Sequence, residues 1–162
     1  IENKHMPNWC ENTLHIDRPS PELVRYLDAE GLSFDKIDPT PPELLDDGRW
    51  YDWRVSNWGT KWDLDDESVF HDYTNKKYSF LFNTAWSPPC AVIATLSKKF
   101  PNDEFVLRYL EFGCCFGGTA YISNGSCIED DIMEGGDELN RFAAEFFGYD
   151  LDELTSEGED DQ

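Results

Sequence analysis

Y-S-F-L-F-N-T-A-W-S-P-P-C-A-V-I-A-T-L-S-K-K-F-P-N-D-E-F-V-L-R-Y-L-E-F, running from Tyr78 to Phe112, contains a strand, a helix and a second strand in succession. Tyr78, Phe80 and Phe82 alternate with Ser79, Leu81 and Asn83, which gives a strand one strongly aromatic face. Ser87-Pro88 predicts a helix start, with serine as cap and proline at the first helical position, where an N–H is not needed. Val92, Ile93, Leu96 and Phe100 recur at helical spacing, so the helix is expected to run to about Lys99. Pro101-Asn102-Asp103 then turns the chain into a strand over Phe105–Phe112.

The same grammar extends outward. Trp9–Ile16 places Leu14 and Ile16 on one face and Thr13 and His15 on the other, as a strand does. Ser20-Pro21 opens a helix that carries Leu23, Tyr26 and Leu27 and stops at Gly31. Leu32–Ile37 offers a short strand through Phe34 and Ile37, before Pro39-Thr40-Pro41-Pro42 interrupts regular structure. Glu43–Val55 is expected to form a short helix, Asn57-Trp58-Gly59-Thr60 a turn, and Asp63–His71 an acidic connection anchored by Val69 and Phe70. Downstream, Gly113 and Gly117-Gly118 bracket a hairpin whose return strand reaches Ile122, and Asn124-Gly125 marks a further turn. Strand, helix, strand, strand, helix, strand predicts an α+β fold, a split βαβ sandwich with two helices on one face of an antiparallel sheet. Residues 6–126 make that domain, with a tryptophan-rich insertion at about 43–75. An acidic helical appendage follows at 127–150, and a disordered acidic tail at 151–162. Ile1–His5 reads as an expression remnant, because His5-Met6 resembles a cloning junction.

Charge is the dominant bulk property. The chain carries a formal net charge of −21, and residues 113–162 hold 14 acids against one base, Arg141. Such a chain is repelled by nucleic acid and by anionic membranes and attracted to basic proteins. No apolar run approaches the roughly 18 residues of a membrane span, and no secretory signal is visible. Five irregularly spaced cysteines fit reduced thiols in a cytoplasmic protein and do not supply the paired spacing of a zinc site.

Met6-Pro7-Asn8-Trp9-Cys10, Asn57-Trp58-Gly59-Thr60-Lys61-Trp62 and Thr84-Ala85-Trp86-Ser87-Pro88-Pro89 together resemble the YubB-like, or Api-like, family of phage and conjugative-plasmid proteins. The resemblance covers about Met6 to Ile122. It implies a ferredoxin-like α+β domain, a name for the fold and not for an iron–sulfur cofactor, and a mobile-element origin. It brings no catalytic residues.

Motifs that suggest chemistry each fall short. Asp63, Asp65 and Glu67 alternate like the start of a calcium loop, but the glycine and the bidentate glutamate of such a loop are replaced by Ser68 and Thr74. His71-Asp72 and Cys90 carry no thiol-protease signature. The glycines near 117 precede strand-like residues and not the helix that a phosphate cradle needs. The aromatic strand invites comparison with base-stacking sheets, yet lacks their basic surround. No enzyme, cofactor or metal is expected.

Two binding surfaces remain. Glu129, Asp130, Asp131, Glu134, Asp137, Glu138 and Glu145 accompany a helical apolar stripe of Leu139, Phe142, Ala143, Phe146 and Phe147. They form either a solubilising surface or an acidic decoy that mimics nucleic-acid phosphates for a basic host protein. The alternative surface is the tryptophan-rich stretch, Trp50, Trp53, Arg54, Trp58, Lys61, Trp62 and Trp86, as a nucleic-acid- or nucleotide-handling face. Packing is the ordinary fate of so many large rings, so these tryptophans are expected to be mostly structural.

Overall fold

β1 (Trp9–Asp17) is the strand on which the sheet is assembled. Its Leu14 and Ile16 lie in register with Phe80 and Tyr78 of β3 (Lys77–Ala85) on one side and with Leu107 and Phe105 of β4 (Phe105–Glu111) on the other. Six apolar side chains thus share one face, because alternate residues of a strand point the same way. α1 (Pro21–Glu30) and α4 (Cys90–Lys99) cover that face with Leu23, Leu27, Val92, Ile93 and Leu96, all buried. The computed structural model describes residues 8–156.

β2 (Phe70–Thr74), β5 (Phe116–Ser123) and β6 (Ser126–Glu134) complete one antiparallel sheet in the order β2-β3-β1-β4-β5-β6. The first four strands with α1 and α4 are the ferredoxin-like split βαβ arrangement anticipated from the sequence. β5 and β6 widen the sheet beyond β4. α5 (Gly136–Phe147) returns onto the opposite face, where Leu110, Leu139 and Ala143 are buried together. Gly117 permits that approach: a Cβ there would sit 2.9 Å from Leu139 Cδ1 and 3.0 Å from the Tyr109 carbonyl oxygen.

Several local expectations are corrected. Leu32–Ile37 contributes a helical turn, α2 (Phe34–Ile37), and not a strand. Ser33 caps it, and the Asp63 carboxylate accepts hydrogen bonds from the N–H groups of Phe34 and Asp35 at 2.8 and 3.0 Å. The second strand of the sandwich is instead β2, which begins at the end of the acidic connection and inside the segment read as the tryptophan-rich insertion. The helix expected over Glu43–Val55 is a 3-10 turn at Pro42–Leu44 and then α3 (Trp50–Trp58), which takes in Asn57 and Trp58 and ends at the left-handed Gly59. α4 starts at Cys90 behind Pro89, because the Ser87 hydroxyl donates to the Gly59 carbonyl and is not free to cap. Gly117 and Gly118 lie inside β5, and the turn before it is Phe112–Cys115. The stretch 127–150 read as a helical appendage begins as β6, and α6 (Leu151–Ser156) occupies the start of the segment read as disordered. Ile1–His5 and the last part of that tail, 157–162, lie outside the described residues.

Candidate partner-binding site

The acidic surface is built from β6 and α5. Asn124 and Gly125, both with positive φ (44° and 79°), form the tight turn that pairs β6 with β5. β6 ends the sheet order, so one side of its backbone meets no strand among the described residues. Eight of its nine residues are exposed, and they include Ile128 at 63% and Ile132 at 57%. The register shifts between Gly117 and Thr119, a bulge at which Asp131 takes φ 50°. Gly135 and Gly136 then reverse the chain into α5, whose first turn carries Asp137 and Glu138, where the helix dipole favours negative charge.

Between α5 and strands β4–β6 lies a cleft of about 480 Å³. Asp131, Glu138 and Glu145 line it, together with Tyr121, Phe146 and two arginines, Arg108 and Arg141. The Arg108 guanidinium stands 4.2 Å from the centre of the Phe146 ring, and its buried Nε has no hydrogen-bond partner among the described residues. Salt bridges among the described residues are Glu22–Arg25, Glu30–Lys36 and Asp47–Arg49, so none reaches the acids of β6 or α5. Arg108 and Arg141 share the cleft with three of these acids without coming within ion-pair distance of them.

The seven acids do not form one uniform face. Asp131, Glu138 and Glu145 converge on the cleft, and Asp130 sits in register with Thr119 and Glu134 with Phe116. Asp137 lies in the first turn of α5. Glu129 belongs to the α4 side, where it accepts from the Tyr109 hydroxyl at 2.9 Å and the Cys90 thiol at 3.8 Å. Burial and this carboxylate push the Tyr109 hydroxyl well above its ordinary range.

The tryptophan-rich residues are divided more sharply. Trp58 is fully buried, its indole N–H donating to the Asp38 carbonyl at 2.9 Å. Phe34 and Trp53 flank it at ring-centre distances of 5.9 and 6.1 Å. Arg54 lies over Trp50 at 4.9 Å and Trp58 at 4.7 Å, and donates to Thr40 Oγ1 and the Lys61 carbonyl. Its charge is thus turned into the packing. Lys61 lies over Trp62 at 4.3 Å, and Trp62 meets Trp9 at 6.3 Å. Trp86 is 45% exposed and carries φ 70°. Sequence reading missed Trp9 as a member of this group and Arg108 as the floor of the cleft. The one available signal for Arg108 was a lone charge in the strand F-V-L-R-Y-L.

The remaining chemical candidates have structural duties. Asp63 ties α2 in place, and no cluster of metal-binding side chains occurs among the described residues. Tyr78, Phe80 and Phe82 are buried beneath the helices, closed to base stacking. His71 is on β2, whereas Cys90 adjoins β6 across the sheet. Burial pushes the Cys10 thiol up to about 12 and the Cys90 thiol higher still, which leaves both protonated and weakly nucleophilic.

His15 gives this face a pH signature. Burial, then the nearby Lys77 and Arg108, lowers its pKa from 6.5 to about 4. The unfolded chain therefore takes up a proton that the folded chain refuses, and stability falls as pH drops from 6.5 toward 4. His15→Gln should remove this loss. Relative to the parent it should gain about 1–2 kcal/mol across that window, after allowance for the partly exposed ring. Urea unfolding at pH 8 and pH 4.5 reads the difference, and parallel curves would contradict the assignment.

A family model described as "Ferredoxin-like domain in Api92-like protein" matches residues 57–155, from the end of α3 into α6. Among solved structures, the crystal structure of a protein api92 from Yersinia pseudotuberculosis is similar at 18% identity and a TM-score of 0.43. That similarity covers 53% of this chain and 30% of the other, so the chain spans less than a third of that protein. No curated protein matches. No helix among the described residues is long and apolar enough to cross a membrane.

Proposed function

We propose, from the premise that this chain belongs to the Api92-like proteins with a ferredoxin-like domain, that it is a non-catalytic accessory protein whose acidic β6–α5 surface captures a basic partner. One observation carries the reading. The acids of β6 and α5 have no ion-pair partner among the described residues, and they interleave with the exposed Ile128 and Ile132. The two isoleucines supply apolar area beside the charge, and a protein contact combines apolar area with complementary charge. The concentration of 14 acids against one base in residues 113–162 supplies the long-range field that speeds encounter with a cationic groove. A mobile-element setting, carried by the resemblance of the three motifs, makes a host nucleic-acid-binding protein the natural target and the acids substitutes for phosphates. The protein then acts as an inhibitor or adaptor and does not itself bind nucleic acid.

A second reading has its own observation. Trp9 and Trp86, 46% and 45% exposed, stand at the same end of the sheet, because Trp9 pairs with Ala85. With Trp62 and Lys61 they make an aromatic surface suited to stacking a base. It has lost Arg54 to internal packing, which weakens its attraction for phosphate.

Replacing Asp130, Asp131, Asp137 and Glu138 with their amides tests the first reading while nearly preserving shape. A basic protein retained from host lysate by the parent should bind the variant at least about ten-fold more weakly, with a shallower dependence on salt. The melting temperature should hold. Equal retention and an equal salt slope would show the acids to be solubilising only.

A further inference from the structure

We infer that the open edge of β6 receives a short, extended, cationic segment of the partner as a seventh strand. This rests on the acidic-surface reading and specifies its mode. β6 is the last strand of the sheet, and among the described residues no strand pairs with the N–H and C=O groups on its outer side. Proteins usually blunt such an edge with charge or a bulge. β6 has both, yet it also keeps Ile128 and Ile132 exposed beside them. Charge and apolar area together make the edge selective, not closed. A second copy of this chain pairing through β6 would set Glu129, Asp130 and Asp131 against their own kind, and like charges directly opposite destabilise a strand pair. A strand bearing lysine or arginine meets the reverse situation.

The register defines what fits. The bulge at Asp131 interrupts the edge, so the regular run available is Ser126–Asp130. Tyr121, 47% exposed, pairs across the sheet with Ile128. An apolar residue set opposite Ile128 would continue that row, and a cation two residues along the incoming strand would face Asp130. Glu129 points to the other face, toward Tyr109 and α4, and offers a second cation its partner there. The other open edge, β2, is five residues long and adjoins Lys76 and Lys77, which disfavour a cationic strand. The occupant is therefore a segment of about five residues in which an apolar side chain is adjoined by two consecutive basic ones.

An eight-residue peptide of valine-lysine-lysine repeats tests this, alongside the same peptide N-methylated at every second residue. Methylation removes the N–H groups of one edge and keeps the charge. Fluorescence anisotropy against the full chain should show the unmethylated peptide binding about ten-fold or more tightly than the methylated one, the scale of two or three net hydrogen bonds. The four-acid amide variant should weaken the unmethylated peptide. If both peptides bind equally and both weaken on the amide variant, strand addition is overturned and the acidic-surface reading stands. If neither peptide binds, or neither responds to the amide variant, both fall.

Discussion

Trp58→Ala should destabilise the protein by about 3–5 kcal/mol, the usual range for deleting a fully buried large aromatic side chain. Trp58 has no exposed surface, and its ring is enclosed by Phe34, Trp53 and the Arg54 guanidinium. Truncation would also leave the Asp38 carbonyl without its donor. Urea unfolding should show a lowered midpoint with the slope unchanged. Trp86 shares the sequence neighbourhood and should behave in the opposite way. It is 45% exposed, and its φ of 70° is a conformation that costs a bulky residue about 1–2 kcal/mol. Trp86→Gly should therefore fall within about 1 kcal/mol of the parent or exceed it, since glycine enters that region freely. A large loss at Trp86 would mean that its ring packs in a way its exposure does not reveal. The expectation that the tryptophans are structural thus applies to Trp53 and Trp58 and does not extend to Trp86.

Asp63→Ala is expected to be the most damaging change at a polar position, at about 2–3 kcal/mol. One carboxylate accepts from the N–H groups of Phe34, Asp35 and Leu64 and from the Ser33 hydroxyl. It thereby fastens the tryptophan-rich insertion to the start of α2. A four-residue helix has almost no stability of its own, so an external cap matters more here than on a long helix. Amide exchange at Phe34 and Asp35 should accelerate together. Asp63→Asn, which retains an acceptor oxygen, should lose less. Equal losses for the two variants would argue against capping as the cause.

These contacts mark where the sequence was informative. Tyr78, Phe80 and Phe82, and Phe105, Leu107 and Tyr109, were legible because helices bury one face of their strands, and the pattern records it. β2 left no such record, since all five of its residues are exposed. β6 was hidden by composition: aspartate and glutamate are poor strand formers, and an edge strand needs no buried face. Leu32–Ile37 was ambiguous in itself, because Leu32 and Phe34 suit a strand while Phe34 and Ile37 suit one helical turn. The carboxylate that selects the turn lies at Asp63, about thirty residues away in sequence. The acidic character of the site was plain from charge alone. Its shape, with Arg108 under Phe146 and Glu129 turned toward Tyr109, depends on register and was not.

The central claim, that the β6–α5 end is the working surface, is tested most directly by mapping contact on the whole chain. Titrating the isotopically labelled protein with the valine-lysine-lysine peptide and following its amide and indole N–H resonances would locate the contact. Shifts should concentrate in residues 126–141, with Ile128, Asp130 and Ile132 among the largest, and should fade as salt is added. Shifts centred on the indoles of Trp9, Trp62 and Trp86, with β6 unmoved, would contradict the account and place recognition at the tryptophan end of the sheet.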